Sequence, residues 1–169
     1  MASGESRVLA IDYGERRVGF AISDPTRTIA SPAGFLIRRA GKRPPIAGMI
    51  RRAQELGAQA FVLGLPLDGN GDDTPRAHEV RAIAEEIGRR TALPVELVDE
   101  RFTTAAALRA VRAVGGSTRG RKGDVDALAA TVLLQHALRL AEGRESGPRH
   151  GGAERDGEVG EDPTHGPSQ

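Results

Sequence analysis

The chain has no cysteine and no tryptophan, only two lysines, and only five aromatic residues among 169. Without cysteine there is no disulfide framework, no thiolate metal site and no sulfur nucleophile, so any bound metal must be held by oxygen or histidine ligands. With few aromatics, platforms for stacking single strands are scarce, and nucleic-acid binding is expected to rest on backbone contacts and shape. No run of about 18 apolar residues occurs, and no apolar stretch of signal-peptide length precedes the first charges in "MASGESRVLAIDYG". The expectation is a soluble, cytoplasmic protein that does not engage a membrane.

What is present is charge, arranged unevenly. Residues 1–142 carry 21 Lys+Arg against 17 Asp+Glu, whereas residues 143–169 carry 3 against 6. The mildly basic part is compatible with a polyanionic partner, and equally with a solvated, arginine-rich surface. The last 27 residues hold one aliphatic side chain larger than alanine, Val159. Such a segment cannot bury enough surface to offset its ordering entropy, so 143–169 is expected to be a disordered acidic tail behind a single domain, 1–142.

Within that domain the periodicity predicts strands at 7–13, 17–23 and about 28–36, joined by the short turns "YGER" and "DPTR" as an antiparallel meander. Ile46, Met49, Ile50, Ala53 and Leu56 recur at helical spacing behind Pro44 and Pro45, with Gly57 as a stop. A continuous apolar strand, 60–65, leads through the polar loop "PLDGNGDDTP" to a second helix with Val80, Ile83, Ala84 and Ile87 inward. "PVELVDE", 94–100, is the fifth strand. Thr103 or Thr104 can cap a third helix ending at Gly115 and Gly116, and a last helix spans about 125–141 with Asp124 as N-cap. The predicted order is β-β-β-α-β-α-β-α-α.

Carboxylates at element ends are the chemically informative feature. Asp12 follows four apolar residues, Val8 to Ile11, in a strand that reads as covered on both faces. An unpaired carboxylate there costs several kcal/mol or is protonated, so Arg17, an amide nest or a metal ion must compensate it. Asp99 and Glu100 end the fifth strand on opposite faces, and parity alone does not say which of them shares a face with Asp12. Asp126 stands in line with Ala129, Ala130, Leu133 and Leu134, on the helix face turned inward. Three converging carboxylates repel one another unless a cation joins them. Hard oxygen ligands select Mg2+ or Mn2+, two of which about 4 Å apart would activate water and stabilise a leaving oxygen at a phosphodiester. No histidine is well placed as a base: His136 is ten residues beyond Asp126, about 15 Å along one helix. The loop "GRKG", with Arg119, Arg121 and Lys122, is either solvated or a phosphate clamp.

Four segments, "IDYGERRVGFAISDP", "VLGLPL" with "DG" after it, "DERFTT" and "KGDVDALAA", resemble in order and spacing the YqgF family, also called RuvX, of the ribonuclease H-like superfamily. The resemblance covers residues 7 to about 140. It implies an α/β fold with a central mixed five-stranded sheet, three antiparallel strands then parallel ones, flanked by helices. It also implies that Asp12, Glu100 and Asp126 are the catalytic, metal-holding carboxylates, which resolves the parity question in favour of Glu100. Arg17, Arg101, Arg119, Arg121 and Lys122 are then the expected nucleic-acid contacts. Such proteins are nucleases for the 5′ end of the pre-16S ribosomal RNA, or resolvases of branched DNA (Holliday junctions). The implied partners are pre-16S rRNA or branched DNA and a pre-ribosomal particle; the lack of a spare long apolar helix face and of coiled-coil heptads points separately to a monomer or weak homodimer. Phe20 and Phe102 depart from the family pattern, which has smaller aliphatics there. Two further readings are a non-catalytic nucleic-acid-binding module, disfavoured because all three carboxylates are present, and an actin-like ATPase half, for which the chain lacks a second domain.

Overall fold

Alternating apolar stretches and helical stripes build one mixed sheet between two helical layers. The computed structural model describes residues 6–39, 41–104 and 122–145. β1 (Arg7–Tyr13), β2 (Arg17–Ser23) and β3 (Ala30–Ile37) form the meander. α1 (Ile46–Leu56), β4 (Ala58–Leu65), α2 (Pro75–Thr91) and β5 (Val95–Asp99) follow, then a 3-10 turn, Glu100–Phe102, and α3 (Lys122–Glu145). The sheet order is β3-β2-β1-β4-β5. β1–β2 and β2–β3 are antiparallel, while β1–β4 and β4–β5 are parallel.

Local chemistry sets the helix ends. Pro44 and Pro45 precede α1, and Gly57 ends it in the left-handed region at φ 68°, its N–H reaching the carbonyls of Ala53 and Gln54. Thr74 caps α2 by accepting the Ala77 N–H at 3.1 Å, with Pro75 in the first turn. Gly34, at φ +83°, lies where the β2–β3 register slips, so β3 bends along the sheet edge.

Strand parity divides the core in two. Leu9, Ile11 and Tyr13, with Val18, Phe20, Phe61 and Leu63, pack against Met49 and Ala53 of α1 and Val80, Ile83 and Ile87 of α2. Val8, Ala10, Ala21, Ala60, Val62 and Val98 face Ala130, Leu133, Leu134, Ala137 and Leu138 of α3. α3 lies across β1, β2 and β3, and Gln135 clamps the edge by accepting the Ala30 N–H and donating to the Thr28 carbonyl. No described helix is long and apolar enough to cross a membrane.

Several boundaries differ from the sequence reading. β4 begins at Ala58, two residues early, because Arg7 and Val8 extend its ladder with β1. β5 stops at Asp99, and Glu100 leaves the ladder in the 3-10 turn because the Asp99 carboxylate captures the Arg101 N–H at 2.9 Å. Asp124 lies in the first turn of α3 and not ahead of it, since the helix is already formed at Lys122. α3 also continues past 141 to Glu145, where Arg144 donates to Glu96 of β5 at 3.2 Å. The helix expected after Thr103 or Thr104 and the segment 146–169 lie outside the described residues.

Candidate active site

Asp12, Glu100 and Asp126 come to the same face of the sheet at the end where the parallel strands finish. On β1, Val8 and Ala10 belong to the α3-facing core, so Asp12, the next residue of that parity, faces α3 as well. Its antiparallel neighbour is Gly19. The parallel register that sets Ile11 beside Leu63 brings Gly64 next to Asp12 on the other side. Asp12 thus stands between two strands that each present a glycine.

Each glycine leaves space for what lies over it. A Cβ on Gly19 would stand 2.1 Å from the Asp126 carbonyl oxygen, so the missing side chain is the space in which α3 touches the sheet. A Cβ on Gly64 would stand 1.9 Å from Glu100 Oε1; the Glu100 side chain folds back over β4 into that gap. The three acids are 1% (Asp12), 2% (Glu100) and 0% (Asp126) exposed, the strongest burial of acidic groups in the described chain.

Their surroundings differ. Arg17 Nη1 donates to Asp126 Oδ2 at 3.4 Å, so this guanidinium serves the helix carboxylate. Burial pushes the Glu100 carboxyl up to about 8; the charge of Arg76 at the start of α2 opposes the rise and that of Asp99 adds to it. Burial therefore favours the protonated form of Glu100 near neutral pH. Asp99 points elsewhere: it pairs bidentately with Arg101, at 2.7 to 3.1 Å, which holds its own carboxyl below the ordinary range.

The other sequence candidates fall into two groups. Arg17 and Arg101 border the acids, each already engaged with a carboxylate. Arg119 and Arg121 lie outside the described residues, and of Lys122 only its place at the start of α3 is described. The loop "PLDGNGDDTP" is closed by its own bonds, with Asp68 accepting the Asn70 and Asp72 N–H groups and Thr74 donating to the Pro66 carbonyl. Arg101 packs over its Gly71. Sequence reasoning missed Arg76, whose only signal is its position after a helix-capping Thr-Pro, and Phe35, which carries no motif.

The donor set, carboxylates without cysteine or a nearby histidine, suits a hard divalent cation. Among the described residues, no three carboxylate or imidazole groups already surround one ion position. The acids share a face and a row without closing on a single point.

The family model described as "RuvX: Holliday junction resolvase" matches residues 6–140, which include every element of the sheet and all three carboxylates. The chain belongs to the RuvX family. A RuvX relative from Roseiflexus sp. (strain RS-1), named "Putative pre-16S rRNA nuclease", is 38% identical over 138 residues, covering 82% of this chain and 97% of its own. A relative of the same name from Kineococcus radiotolerans is 42% identical over 131 residues, covering 77% of this chain and 70% of its own. Among solved structures, T. thermophilus RuvC in complex with a Holliday junction substrate shares the fold with this RuvX chain. The TM-score is 0.50 at 14% identity, over 82% of this chain and 96% of that one. The mixed five-stranded sheet of the ribonuclease H-like class is therefore shown by topology and by likeness together.

Proposed function

We propose that this RuvX protein is a nuclease that hydrolyses phosphodiester bonds with Mg2+ or Mn2+ and matures the 5′ end of pre-16S ribosomal RNA. The observation that carries the reading is the row of Asp12, Glu100 and Asp126, three acids buried on one sheet face beside Gly19 and Gly64. A fold spends stability to bury such groups, and a site for cations on a polyanion is the use that repays it. The names of the RuvX relatives support the choice of RNA.

Asp12, Glu100 and Asp126 would hold the metal, which when bound activates water and offsets charge on the leaving oxygen. Asp12 supplies the central carboxylate from a rigid strand. Arg17 orients the Asp126 carboxylate from one side, and the 3-10 turn delivers Glu100 from the other. Burial favours the protonated Glu100 carboxyl, which would have to be ionised to hold a cation. Arg17, Arg101, Arg119, Arg121 and Lys122 are the proposed phosphate contacts. Neutralising Arg119, Arg121 and Lys122 together is expected to weaken binding across sequences and to flatten its salt dependence by up to about three units of slope.

The test is cleavage by purified protein. RNA cutting is expected only with Mg2+ or Mn2+, and Asp12→Asn is expected to abolish it while the unfolding midpoint stays within a few degrees. Undiminished cutting in EDTA would overturn the reading. The family description and the shared fold with RuvC favour one second reading, resolution of branched DNA. A resolvase cuts two strands in concert and needs two sites related by symmetry, whereas one site on a monomer or weak dimer suffices for one RNA strand. Accumulation of 5′-extended precursor on depletion, rescued by wild type and not by Asp12→Asn, selects processing. Normal 5′ ends with paired symmetric nicks in a four-way junction select resolution.

A further inference from the structure

The four phenylalanines divide sharply. Phe20 and Phe61 are buried in the core under α1 and α2, whereas Phe35 and Phe102 are 39% and 70% exposed. Each exposed phenylalanine ring has a guanidinium over it: Arg17 is 5.2 Å from the Phe35 centroid and Arg101 is 5.1 Å from that of Phe102. The first pair adjoins the acids in space, and the second follows Glu100 directly in the chain. Phe35 is the ladder partner of Gly19, which is itself the partner of Asp12, so Phe35 continues the row Asp12–Gly19 to the sheet edge on the same face. Arg17 joins its ring to the Asp126 carboxylate. Phe102 ends the 3-10 turn that begins with Glu100. Phe35 lies on the edge strand β3, and Phe102 lies in the turn that follows β5, the opposite edge strand, with Asp12 on the central strand β1 between those edges.

Both rings keep part of their apolar surface in water although each has an arginine beside it, and a ring paired with a guanidinium is suited to an occupant with flat apolar faces. The guanidiniums make that occupant anionic. We propose that Phe35 with Arg17, and Phe102 with Arg101, are two stacking platforms that hold unpaired bases on either side of the phosphate to be cut, so that the substrate is a single strand at the site. Each ring takes the face of a base while its arginine stays within reach of the adjoining phosphate. The proposal rests on the reading of the three carboxylates as the cutting site and adds to it the strandedness of the substrate.

The test is equilibrium binding by the full chain in EDTA, so that no cutting is needed. The probes are a short mixed-sequence single-stranded RNA, the same RNA annealed to its complement, and the single strand with abasic sites at its centre. Phe102→Ala and Phe35→Leu are each expected to weaken the single strand at least about five-fold, the low end of aromatic–base stacking, with the duplex unchanged. The abasic strand is expected to lose its sensitivity to both substitutions. Phe35 is partly packed, so Phe35→Leu keeps an apolar side chain there, and unfolding midpoints equal to wild type confirm that only the ring is missing. Unchanged single-strand affinity in both variants, or an equal loss on the duplex, would overturn the proposal. Base-dependent binding without any Mg2+-dependent cutting would sink the nuclease reading and leave the platforms standing; cutting with ring-independent binding would do the reverse.

Discussion

Gly19 carries no side chain because the backbone of Asp126 occupies its place: a Cβ there would stand 2.1 Å from the Asp126 carbonyl oxygen. The contact is backbone against backbone and has nowhere to yield. Gly64 differs, because the atom it would meet, Glu100 Oε1 at 1.9 Å, ends a side chain that can turn away. Gly19→Ala is therefore expected to lift α3 and to lower stability by about 1–3 kcal/mol, as overpacking does. Gly64→Ala is expected to fold with a smaller loss and still to cut poorly, since Glu100 is expelled from the row. Urea unfolding beside a cleavage assay separates the two, and equal stability losses would contradict the distinction.

Glu100 predicts a trade of stability for function. In the unfolded chain it ionises near 4.5, while in the folded protein burial holds it protonated to about 8. Between those values the folded state keeps a proton that the unfolded state has released. The Glu100 contribution is fully present below about pH 4.5 and is lost as pH rises toward 8. Glu100→Gln removes this dependence. In EDTA it is expected to unfold at a higher temperature than wild type at pH 8 and to show no such gain at pH 4, while cutting falls by at least about a hundredfold.

Tyr13 makes the corresponding alkaline prediction. Its hydroxyl donates to Glu79 Oε1 at 2.8 Å, Arg38 donates to the same oxygen at 2.6 Å, and the Arg38 guanidinium lies 4.3 Å from the ring centroid. Burial and the Glu79 bond raise the phenol above its ordinary value of 10.0. Stability from this group is present below about pH 10 and declines above it, because only the unfolded chain then releases the proton. Tyr13→Phe is expected to cost about 1 kcal/mol at pH 7 and to reduce the loss seen between pH 9 and 11. Urea midpoints across that range would measure both.

Asp24 governs the β2–β3 turn on the acid side. Its carboxylate accepts the Thr28 and Ile29 N–H groups at 2.7 and 2.8 Å and the Thr26 hydroxyl, and the Ile29 bond leads in lowering its carboxyl to about 2. The stabilisation is present above the ordinary value of 3.8 and is lost as pH falls toward 2. The melting temperatures of wild type and Asp24→Ala are expected to differ at pH 6 and to converge by pH 2. A gap that stays constant with pH would mean that the turn does not depend on this charge.

Local pattern was enough to read the elements. The alternation of Leu9, Ile11 and Tyr13, the stripe Val80–Ile83–Ile87, and the Pro-before, Gly-after bracket of α1 each depend on contacts within one turn or one strand. The shared face of Asp12 and Asp126 was half legible, through strand parity and helix phase, because both are periodicities of the backbone. The choice between Asp99 and Glu100 was not legible in parity and came only from the family resemblance. It depends on where the ladder ends, and that is set by Asp99 turning back onto Arg101 and by a gap over Gly64 on another strand. Gly19 and Gly64 look like ordinary strand glycines until chain from more than thirty residues away is laid over them. Phe35 is the extreme case: one residue of an edge strand in the sequence, it becomes a neighbour of the acids only when β2 and β3 pair and bring it beside Gly19. Short-range preferences are written into consecutive residues, whereas the row of acids drawn from β1, the turn after β5 and α3 exists only once long-range packing has chosen which faces meet.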